Sequence, residues 1–419
     1  FTTKVGLCLS LRELPWFAKE DPHTFYPRCH ILAEERQEFI DDYRLTAARS
    51  ILKWVLRVNG KEKAGPVADA KMSDPGHERT VPNDIIVTAL LACKMHLDTL
   101  EHKNIDGDLE PVEAQVAARW KAFLRDYYKV VRRDNKAKHL IKGQTRRNNS
   151  EMYVEHCRSI LRKLEPVTPQ LDIDGEKNIW ILKPGFSSRG RGIYCENRMK
   201  HILRLVDSDP EVILSERWVA QKYVERPLLI HEAKIDLRQH FLITDWNPLT
   251  IWFYKDSFIR FSSQPFTLEK LDRAIHVCNN AIQRKLENAP NRHPDLPEEN
   301  MWHSDEFKAY LRKIGKEHVW DSVIIPGMKK ALIHAMQVSQ DKTDYRKNSF
   351  DLFGADFMFG ENFQPWLLEI NSKPDIKQDT SVMDILVPPL LEDLLRVVID
   401  YKNDPNCDVG GFELIYKQV

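Results

Sequence analysis

The sequence lacks a long hydrophobic run, a paired arrangement of cysteines and a net charge. No stretch of about 18 apolar residues occurs among the 419 residues, so we predict no membrane-spanning helix. The seven cysteines are odd in number, scattered and never spaced as C-x-x-C, which argues against a disulfide framework and a structural zinc site. Basic and acidic residues both total 62, so no overall field directs the chain to nucleic acid or a membrane. We therefore expect a soluble, cytosolic protein that binds neither.

The chain has enough apolar residues to bury hydrophobic cores. Hydrophobic residues make up 42% and charged residues 30%, and the length fits two or three domains. Apolar residues at helical spacing, with a final helix that has proline near its first turn, predict helices over residues 34–58, 114–133, about 303–315, about 320–340 and 387–401. From residue 178 onward, short runs rich in β-branched and aromatic residues predict mostly antiparallel sheet. The sequence therefore predicts an α+β fold.

The segment "NIWILKPGFSSRGRGIYC", residues 178–195, is a first candidate for phosphate binding. A strand is predicted to end at Lys183, and a loop of small and basic residues follows before a second strand begins at Ile193. Small residues let backbone N–H groups approach phosphate oxygens closely, and Lys183 adds a point charge. The loop joins two strands and lacks G-K-[ST], so it is not a Walker A element. An ordinary hairpin with a basic tip is the alternative.

Acidic side chains interrupt two apolar, strand-like segments near the C-terminus. Asp356 lies in "LFGADFMF", and Glu369 and Asn371 lie in "WLLEINSKP". Two neighbouring strands would place both carboxylates side by side, with Asn371 on the face of Glu369 because side chains alternate along a strand. Buried carboxylates repel each other unless a cation lies between them, and oxygen ligands suit magnesium bridging the phosphates of a nucleotide. A solvent-facing edge strand with alternating polar residues is the alternative.

Two segments between these ends carry further candidates. In "KIDLRQHFLI", Lys234, Asp236 and Arg238 alternate along one strand face, and a cationic face suits a triphosphate or an acyl phosphate. In "VAQKYVERPLLI", a mixed apolar and polar stretch suits a hinge whose backbone groups read an adenine edge; its residues are Gln221, Lys222, Tyr223 and Val224. For each segment alone, a charged sheet face open to water is the alternative.

In order and spacing, these parts resemble the tubulin tyrosine ligase-like family of the ATP-grasp superfamily, and most of all its glycylase branch. The resemblance covers most of the chain and is strongest over residues 178–281 and 350–375. It implies an ATP-grasp fold of three parts, with mostly antiparallel sheets enclosing the nucleotide. The implied parts are an N-terminal domain (1–47), a central ATP-grasp domain (48–230, with an insertion around 59–150) and a C-terminal ATP-grasp domain that carries the metal ligands (231–419).

The resemblance also implies roles for individual residues. The residues that bind ATP would be Lys53, Lys183, Ser188, Arg189, Gly190, Gly192, Gln221, Lys222, Tyr223, Val224, Lys234, Asp236 and Arg238. The residues that serve the reaction would be Lys234, Arg238, Arg260 and Asn279, the last lying in "HVCNN" where most relatives have "H-L-T-N". The ligands of one or two magnesium ions would be Asp356, Glu369 and Asn371. For Lys53, a helical lysine whose stem covers apolar surface is the alternative.

The implied reaction is the ATP-dependent formation of an isopeptide bond. A glutamate side chain in an acidic tubulin tail would attack the γ-phosphate, and the amine of free glycine would then displace phosphate from the acyl phosphate. The basic run at residues 129–147 is the candidate tail-binding segment, represented by Lys136, Lys138 and Lys142, with a solvated helix end and loop as the alternative. The resemblance further implies a monomer located in the cytoplasm, the cytoskeleton, and the cilium or axoneme.

Two other functions stay open: a ligase of the same fold that adds glutamate, and an inactive module that binds microtubules. The paired carboxylates and the lysines argue against an inactive module, because binding alone does not require them. Lys234, Arg238 and Arg260 already have roles with phosphate or the acyl intermediate, so the motifs leave no spare cation for the carboxylate of a glutamate donor. The sequence therefore favours glycine as the donor.

Overall fold

The computed structural model describes residues 1–59, 79–101, 113–133, 139–142, 147–186, 190–207, 217–344 and 346–418. These residues form two compact units. The first unit comprises Phe1–Glu34, Trp180–Glu196 and His201–Val419, and the second comprises Glu35–Ile179 and Asn197–Lys200. Across the described residues, every helix is too short or too polar to cross a membrane.

The strands and helices of the two units follow in chain order. The strands are β1 (Cys29–Ile31), β2 (Arg79–Pro82), β3 (His139–Lys142), β4 (Trp180–Lys183), β5 (Tyr194–Glu196), β6 (Val219–Lys222), β7 (Leu229–Ile230), β8 (Ala233–Trp246), β9 (Leu249–Pro265), β10 (Met301–His303), β11 (Asp351–Phe359), β12 (Pro365–Asn371) and β13 (Phe412–Lys417). The α-helices are Lys4–Arg12, Leu14–Ala18, Arg36–Asn59, Asn83–Leu100, Glu113–Arg133, Arg147–Leu164, Met199–Leu203, Arg273–His276, Asn280–Gln283, Ser304–Lys313, Ile325–Gln337, Ser381–Leu395 and Tyr401–Asn403.

The first unit contains two antiparallel sheets. One has four strands in the order β1-β6-β4-β5. The other has seven strands, in the order β10-β9-β8-β11-β12, with β13 paired to β9 and β7 paired to β8. The second unit is mainly helical and contains the parallel pair β2 and β3. The α+β class with mostly antiparallel sheet, predicted from the sequence, is confirmed.

Strand β8 has one apolar face and one charged face. Ile235, Leu237 and Phe241 belong to the large hydrophobic core, where the apolar face meets residues of the helix Ile325–Gln337. Lys234, Asp236 and Arg238 alternate with them and therefore point to the other side of the sheet. All of these side chains are buried, so the charged face is not a surface open to water.

The predicted helices are present, but one begins earlier than expected. The helices over 34–58 and 114–133 are confirmed as Arg36–Asn59 and Glu113–Arg133. The helix predicted over 387–401 begins at Ser381, with Pro388 and Pro389 inside it, and after Leu395 it continues as a π-helix (Arg396–Asp400) and a last α-helical turn (Tyr401–Asn403). The prediction of proline near the first turn was therefore wrong. Thr380 sets the start, because its hydroxyl accepts a hydrogen bond from the Met383 backbone N–H (3.3 Å).

The two compact units do not coincide with the three parts implied by the family resemblance. The implied bound between residues 47 and 48 falls inside the continuous helix Arg36–Asn59. The bound between residues 230 and 231 falls inside the hairpin of β7 and β8, whose strands pair at Ile230 and Ala233. The insertion implied around 59–150 contains the helices Asn83–Leu100 and Glu113–Arg133 of the second unit. The three-part division stays a prediction.

Candidate active site

The register of the seven-stranded sheet brings the predicted charged residues together. Asp236 on β8 lies opposite Arg260 on β9. On the next pair, Arg238 of β8 lies opposite Asp356 of β11, and Asp356 also lies opposite Glu369 of β12. Four neighbouring strands therefore present acidic and basic side chains to one region of the sheet.

Two arginines and two aspartates in this region form a buried ion-pair network. Arg238 donates to both oxygens of Asp356, with its Nη2 lying 3.0 Å from Oδ2. Arg260 donates from Nε to Asp236 Oδ1 (2.6 Å), and its Nη2 lies 3.0 Å from Asp356 Oδ2. Burial opposes ionisation of Asp356, but the two arginines outweigh it and hold the pKa of this carboxyl below its ordinary value. Burial likewise disfavours the charged form of Arg260, yet Asp236 and Asp356 raise its pKa. Asp356 and Arg260 therefore stay charged at neutral pH.

Glu369 and Asn371 share a face of β12, as predicted. The Asn371 side-chain amide lies at hydrogen-bond distance from Glu369 Oε1 (3.5 Å) and from the carbonyl oxygen of Gly354 (3.4 Å). Both side chains are partly exposed, whereas Asp356 is buried. Two carboxylates and one amide oxygen are hard ligands of the kind that magnesium takes. The donor set therefore fits magnesium. Asp356 also forms ion pairs with the guanidinium groups of Arg238 and Arg260.

Lys183 ends strand β4 and points into the same region. Its ammonium donates to Gln221 Oε1 (2.7 Å) and to the carbonyl oxygen of Leu368 (3.3 Å). Burial lowers the pKa of Lys183, and the nearby charge of Glu369 offsets part of this effect. Lys183 thus places a cation between the four-stranded sheet and strand β12.

The predicted hinge makes several buried polar contacts. The Lys222 ammonium, whose side chain is fully buried, donates to Glu225 Oε1 (2.7 Å) and to the Tyr223 carbonyl oxygen (3.0 Å). The Tyr223 hydroxyl lies 2.8 Å from His276 Nδ1. His276 Nε2 lies 2.7 Å from the Lys270 carbonyl oxygen, which can only accept, so Nε2 carries the proton and Nδ1 accepts from Tyr223. Burial lowers the pKa of His276 to about 4, so the ring is neutral at pH 7.

The "HVCNN" segment lies against strand β8 and against Gly190, which with Gly192 belongs to the loop after β4, here called the flap. Gly190 and Gly192 have φ values of +70° and +71°, which favour glycine. A Cβ on Gly190 would lie 2.6 Å from Ile282 Cδ1 and 3.2 Å from Asn279 Oδ1, so the absence of a side chain permits this close approach. On the other side, the Lys234 ammonium lies 3.5 Å from Cys278 Sγ. Asn279 and Lys234 are thus brought into one neighbourhood.

These groups surround a cavity of about 540 Å³, its open mouth included. The predicted site residues that line it are Lys183, Gln221, Lys222, Tyr223, Val224, Lys234, Asp236, Asn279, Asp356 and Glu369. Arg238, Arg260 and Asn371 each bond to a residue that lines it.

Other predicted residues are not brought to this cavity or lie outside the described part of the chain. Lys53 belongs to the second unit, where its ammonium donates to the carbonyl oxygens of Leu171 and Asp174, so its nucleotide role stays a prediction. Ser188, Arg189, Lys136 and Lys138 lie outside the described residues, as does the side chain of Lys142.

Sequence reasoning assigned no role to several residues of the cavity wall or its support. His276 and Cys278 line the cavity, and Glu225 pairs with Lys222. The signal for Glu225 was its position three residues after a lysine in an apolar stretch, because a buried lysine requires a partner. The "HVCNN" motif contains His276 and Cys278, but their contacts with Tyr223 and Lys234 join residues far apart in the chain, so the motif alone did not reveal them.

Cations, paired carboxylates and a hinge around one cavity are typical of a site for a phosphorylated nucleotide. The model of the tubulin-tyrosine ligase family matches residues 115–407, about 70% of the sequence, and the chain belongs to this family. The match includes every predicted site residue from Lys136 to Asn371.

Several glycylases are similar to the chain over its whole length. Tubulin monoglycylase TTLL3 of Mus musculus is 48% identical over 429 aligned positions, which cover 100% of this chain and 45% of the relative. Protein monoglycylase TTLL8 of Mus musculus is 46% identical, covering 100% of this chain and 51% of the relative. Tubulin glycylase 3A of Drosophila melanogaster is 41% identical, and the alignment covers 100% of this chain and 41% of the relative. The chain spans about half the length of the curated relatives it matches.

Proposed function

We propose that the chain is an ATP-dependent ligase that adds glycine, through an isopeptide bond, to glutamate side chains in the acidic C-terminal tails of tubulin. The observation that carries this proposal is the meeting of Lys183, Lys234 and the Arg238–Asp356 pair around one cavity in a member of the tubulin-tyrosine ligase family. The fold would be an ATP-grasp fold whose antiparallel sheets enclose the nucleotide.

In this proposal the chain binds ATP through groups from both sheets. The hinge Gln221–Val224 would read the adenine, since Lys222 and His276 fix its backbone and its tyrosine. Lys183, Lys234 and Asp236 line the cavity and would bind phosphates and ribose. From the family resemblance, Gly190, Gly192, Lys53, Ser188 and Arg189 would also bind ATP. Asp356, Glu369 and Asn371 would hold one or two magnesium ions, which offset phosphate charge when bound.

The arginines would serve the phosphoryl transfer and the acyl phosphate. A tail glutamate attacks the γ-phosphate, ADP leaves, and the glycine amine then attacks the acyl carbon as phosphate departs. Arg238 and Arg260 are held in position by aspartates before any substrate arrives, so little reorganisation is needed when negative charge develops. Asn279, beside the flap, would orient the reacting groups.

Glycine is the favoured donor because each described cation of the cavity already has a role in the proposed site. Lys183 and Lys234 would bind phosphate, Arg238 and Arg260 would serve the acyl phosphate, and Lys222 pairs with Glu225. A glutamate donor would bring a second carboxylate that needs its own cation. The similarity to proteins named glycylases supports the same choice.

The test is to incubate the chain with microtubules, ATP and each amino acid in turn, and to weigh the tubulin tails by mass spectrometry. We expect glycine to be added, glutamate not, and alanine poorly. Equal incorporation of glutamate would make the chain a polyglutamylase. Co-sedimentation with microtubules without any added mass would make it an inactive binding module.

The proposed partner surface is the basic run that contains Lys136, Lys138 and Lys142. Replacing these three by glutamate should raise the KM for tubulin far more than it lowers kcat, and the effect should fade as salt rises because the attraction is screened. An unchanged KM at low salt would remove the run from the proposal.

A further inference from the structure

Three side chains that can bind metal lie together outside the cavity described above. They are His231, His293 and Asp295, whose candidate ligand atoms all lie within 4.8 Å of one another. His231 lies in the turn between β7 and β8, and the other two lie in the proline-rich loop at residues 287–300. All three belong to the first unit, and none of them lines the cavity.

The turn does not by itself explain the presence of His231. Ile230 pairs with Ala233, so His231 and Glu232 alone form the turn, with φ values of +48° and +64°. Asparagine and glycine are the residues that favour such two-residue turns, because most other side chains are strained at positive φ. A histidine at this strained position therefore points more strongly to a function of the side chain than a histidine on a relaxed loop would.

The three side chains are in direct contact, although no ion holds them in ligand geometry. The rings of His231 and His293 stack with centroids 3.7 Å apart, so one ring must turn for both to direct a nitrogen to the same ion. The Asp295 backbone N–H donates to His293 Nδ1 (3.1 Å), which marks Nδ1 as the unprotonated nitrogen, and a metal ion would replace this hydrogen bond. Lys313 Nζ lies 2.9 Å from Asp295 Oδ2. Unprotonated imidazole nitrogens and carboxylate oxygens are the atoms that bind metal ions.

We infer that His231, His293 and Asp295 form a site for a divalent transition-metal ion of the zinc type, linking the β7–β8 turn to the proline-rich loop. Two imidazoles and one carboxylate suit zinc, whereas magnesium prefers oxygen ligands alone. Tetrahedral zinc, with bonds of about 2.0–2.1 Å, needs ligand atoms roughly 3.4 Å apart. His231 Nε2 and Asp295 Oδ2 are already 3.6 Å apart.

The inferred zinc site differs in two ways from the structural zinc site that the cysteine spacing argued against. It contains no cysteine, so the cysteine spacing that argued against structural zinc does not apply to it. His293 and Asp295 are exposed, which leaves the fourth coordination position open to water. Lys313 opposes the ion, because its charge lies beside the same carboxylate.

The test is titration of the whole chain with zinc chloride by calorimetry, together with the visible absorption of bound cobalt(II). We expect one saturable site, and we expect H231N and H293N each to weaken binding on the order of tenfold or more, since each removes a ligand. Asparagine is chosen at position 231 because it tolerates the left-handed backbone. K313Q should tighten binding several-fold by removing the competing charge.

The matched control is H201N, which removes a histidine that pairs with a single acid, Glu196 (2.9 Å). It should bind zinc as the wild type does. Melting temperatures measured with a chelator present should agree among all variants, which separates ligand loss from unfolding. Absence of saturable binding in the wild type, or equal binding in H231N and H293N, would overturn the inference.

Discussion

The two faces of strand β8 are both buried but differ in what stabilises them. On one face, Leu237 and Phe241 pack in the large core, where removal of apolar surface from water is the stabilising term. On the other face, Asp236 and Arg238 are buried to a similar degree, yet they are stabilised through ion pairs with neighbouring strands. Strand β8 thus contributes to both the hydrophobic core and the candidate active site.

The comparison shows that burial alone does not separate structural from functional residues. A buried ion pair is often no more stabilising than apolar residues of the same volume, because desolvating the charges costs about as much as their attraction returns. The charged face is therefore not explained by stability. Under the proposed function, the cavity beside it supplies the explanation, since charges would be needed there to meet the charge of the substrate.

The largest effect on stability is expected on the apolar face. Phe241→Ala should lower the free energy of unfolding by about 4 kcal/mol, because the ring is fully buried and stacks on Phe353 with centroids 5.2 Å apart. Chemical denaturation would measure this. Leu414→Ala on the partly exposed strand β13 is the control and should cost about 1 kcal/mol or less. A similar loss in both variants would contradict the assignment of this face to the core.

A slightly smaller loss is expected on the charged face when one partner of the network is removed. Asp356→Asn should cost about 3 kcal/mol, because it leaves Arg238 and Arg260 buried without the charge that both contact. Adding Arg238→Met to this variant should restore part of the stability, which a simple packing defect would not allow. A single variant as stable as the wild type would mean that the arginines have other sufficient partners.

Glu369→Gln should separate the two roles, since it lies at the edge of the network and is partly exposed. We expect little change in the free energy of unfolding. Under the proposed function, turnover should fall on the order of 100-fold, about 2.7 kcal/mol in activation free energy, because one anionic metal ligand is lost. Denaturation and the tail mass-spectrometry assay would measure the two quantities. Turnover within a few-fold of the wild type would remove Glu369 from the metal site.

The sequence predicted the parts of the site that depend on local pattern. Glu369 and Asn371 share a face because strands alternate, and Asp356 lies beside Glu369 because a short turn joins β11 to β12. The contact between Arg238 and Asp356 joins residues 118 positions apart, so no local pattern could reveal it. The same holds for the bond between Tyr223 and His276, which are 53 positions apart.

One of the implied domain bounds falls inside a predicted helix. The bound at residue 47 came from family resemblance, although the apolar spacing over 34–58 already predicted one continuous helix across it. The structure has that helix, and its buried residues on both sides of position 47 include Tyr43 and Ile51. The periodicity therefore predicted this helix correctly, and the domain bound stays a prediction.

The smallest expected effect comes from Tyr223→Phe, which tests whether the hinge depends on a single hydrogen bond. The hydroxyl donates to His276 Nδ1 in a fully buried setting, so its removal leaves one ring nitrogen without a donor and should cost about 1 kcal/mol of stability. Under the proposed function, the KM for ATP should rise several-fold while kcat changes little, because the ring lies at the adenine hinge and not beside the phosphates.

A double-mutant cycle with His276→Leu isolates this bond: if it carries the effect, the double variant should lose about 1 kcal/mol less than the sum of the two single variants. Strictly additive losses would show that Tyr223 and His276 contribute separately, through packing, and that the hinge is held mainly by the Lys222–Glu225 pair.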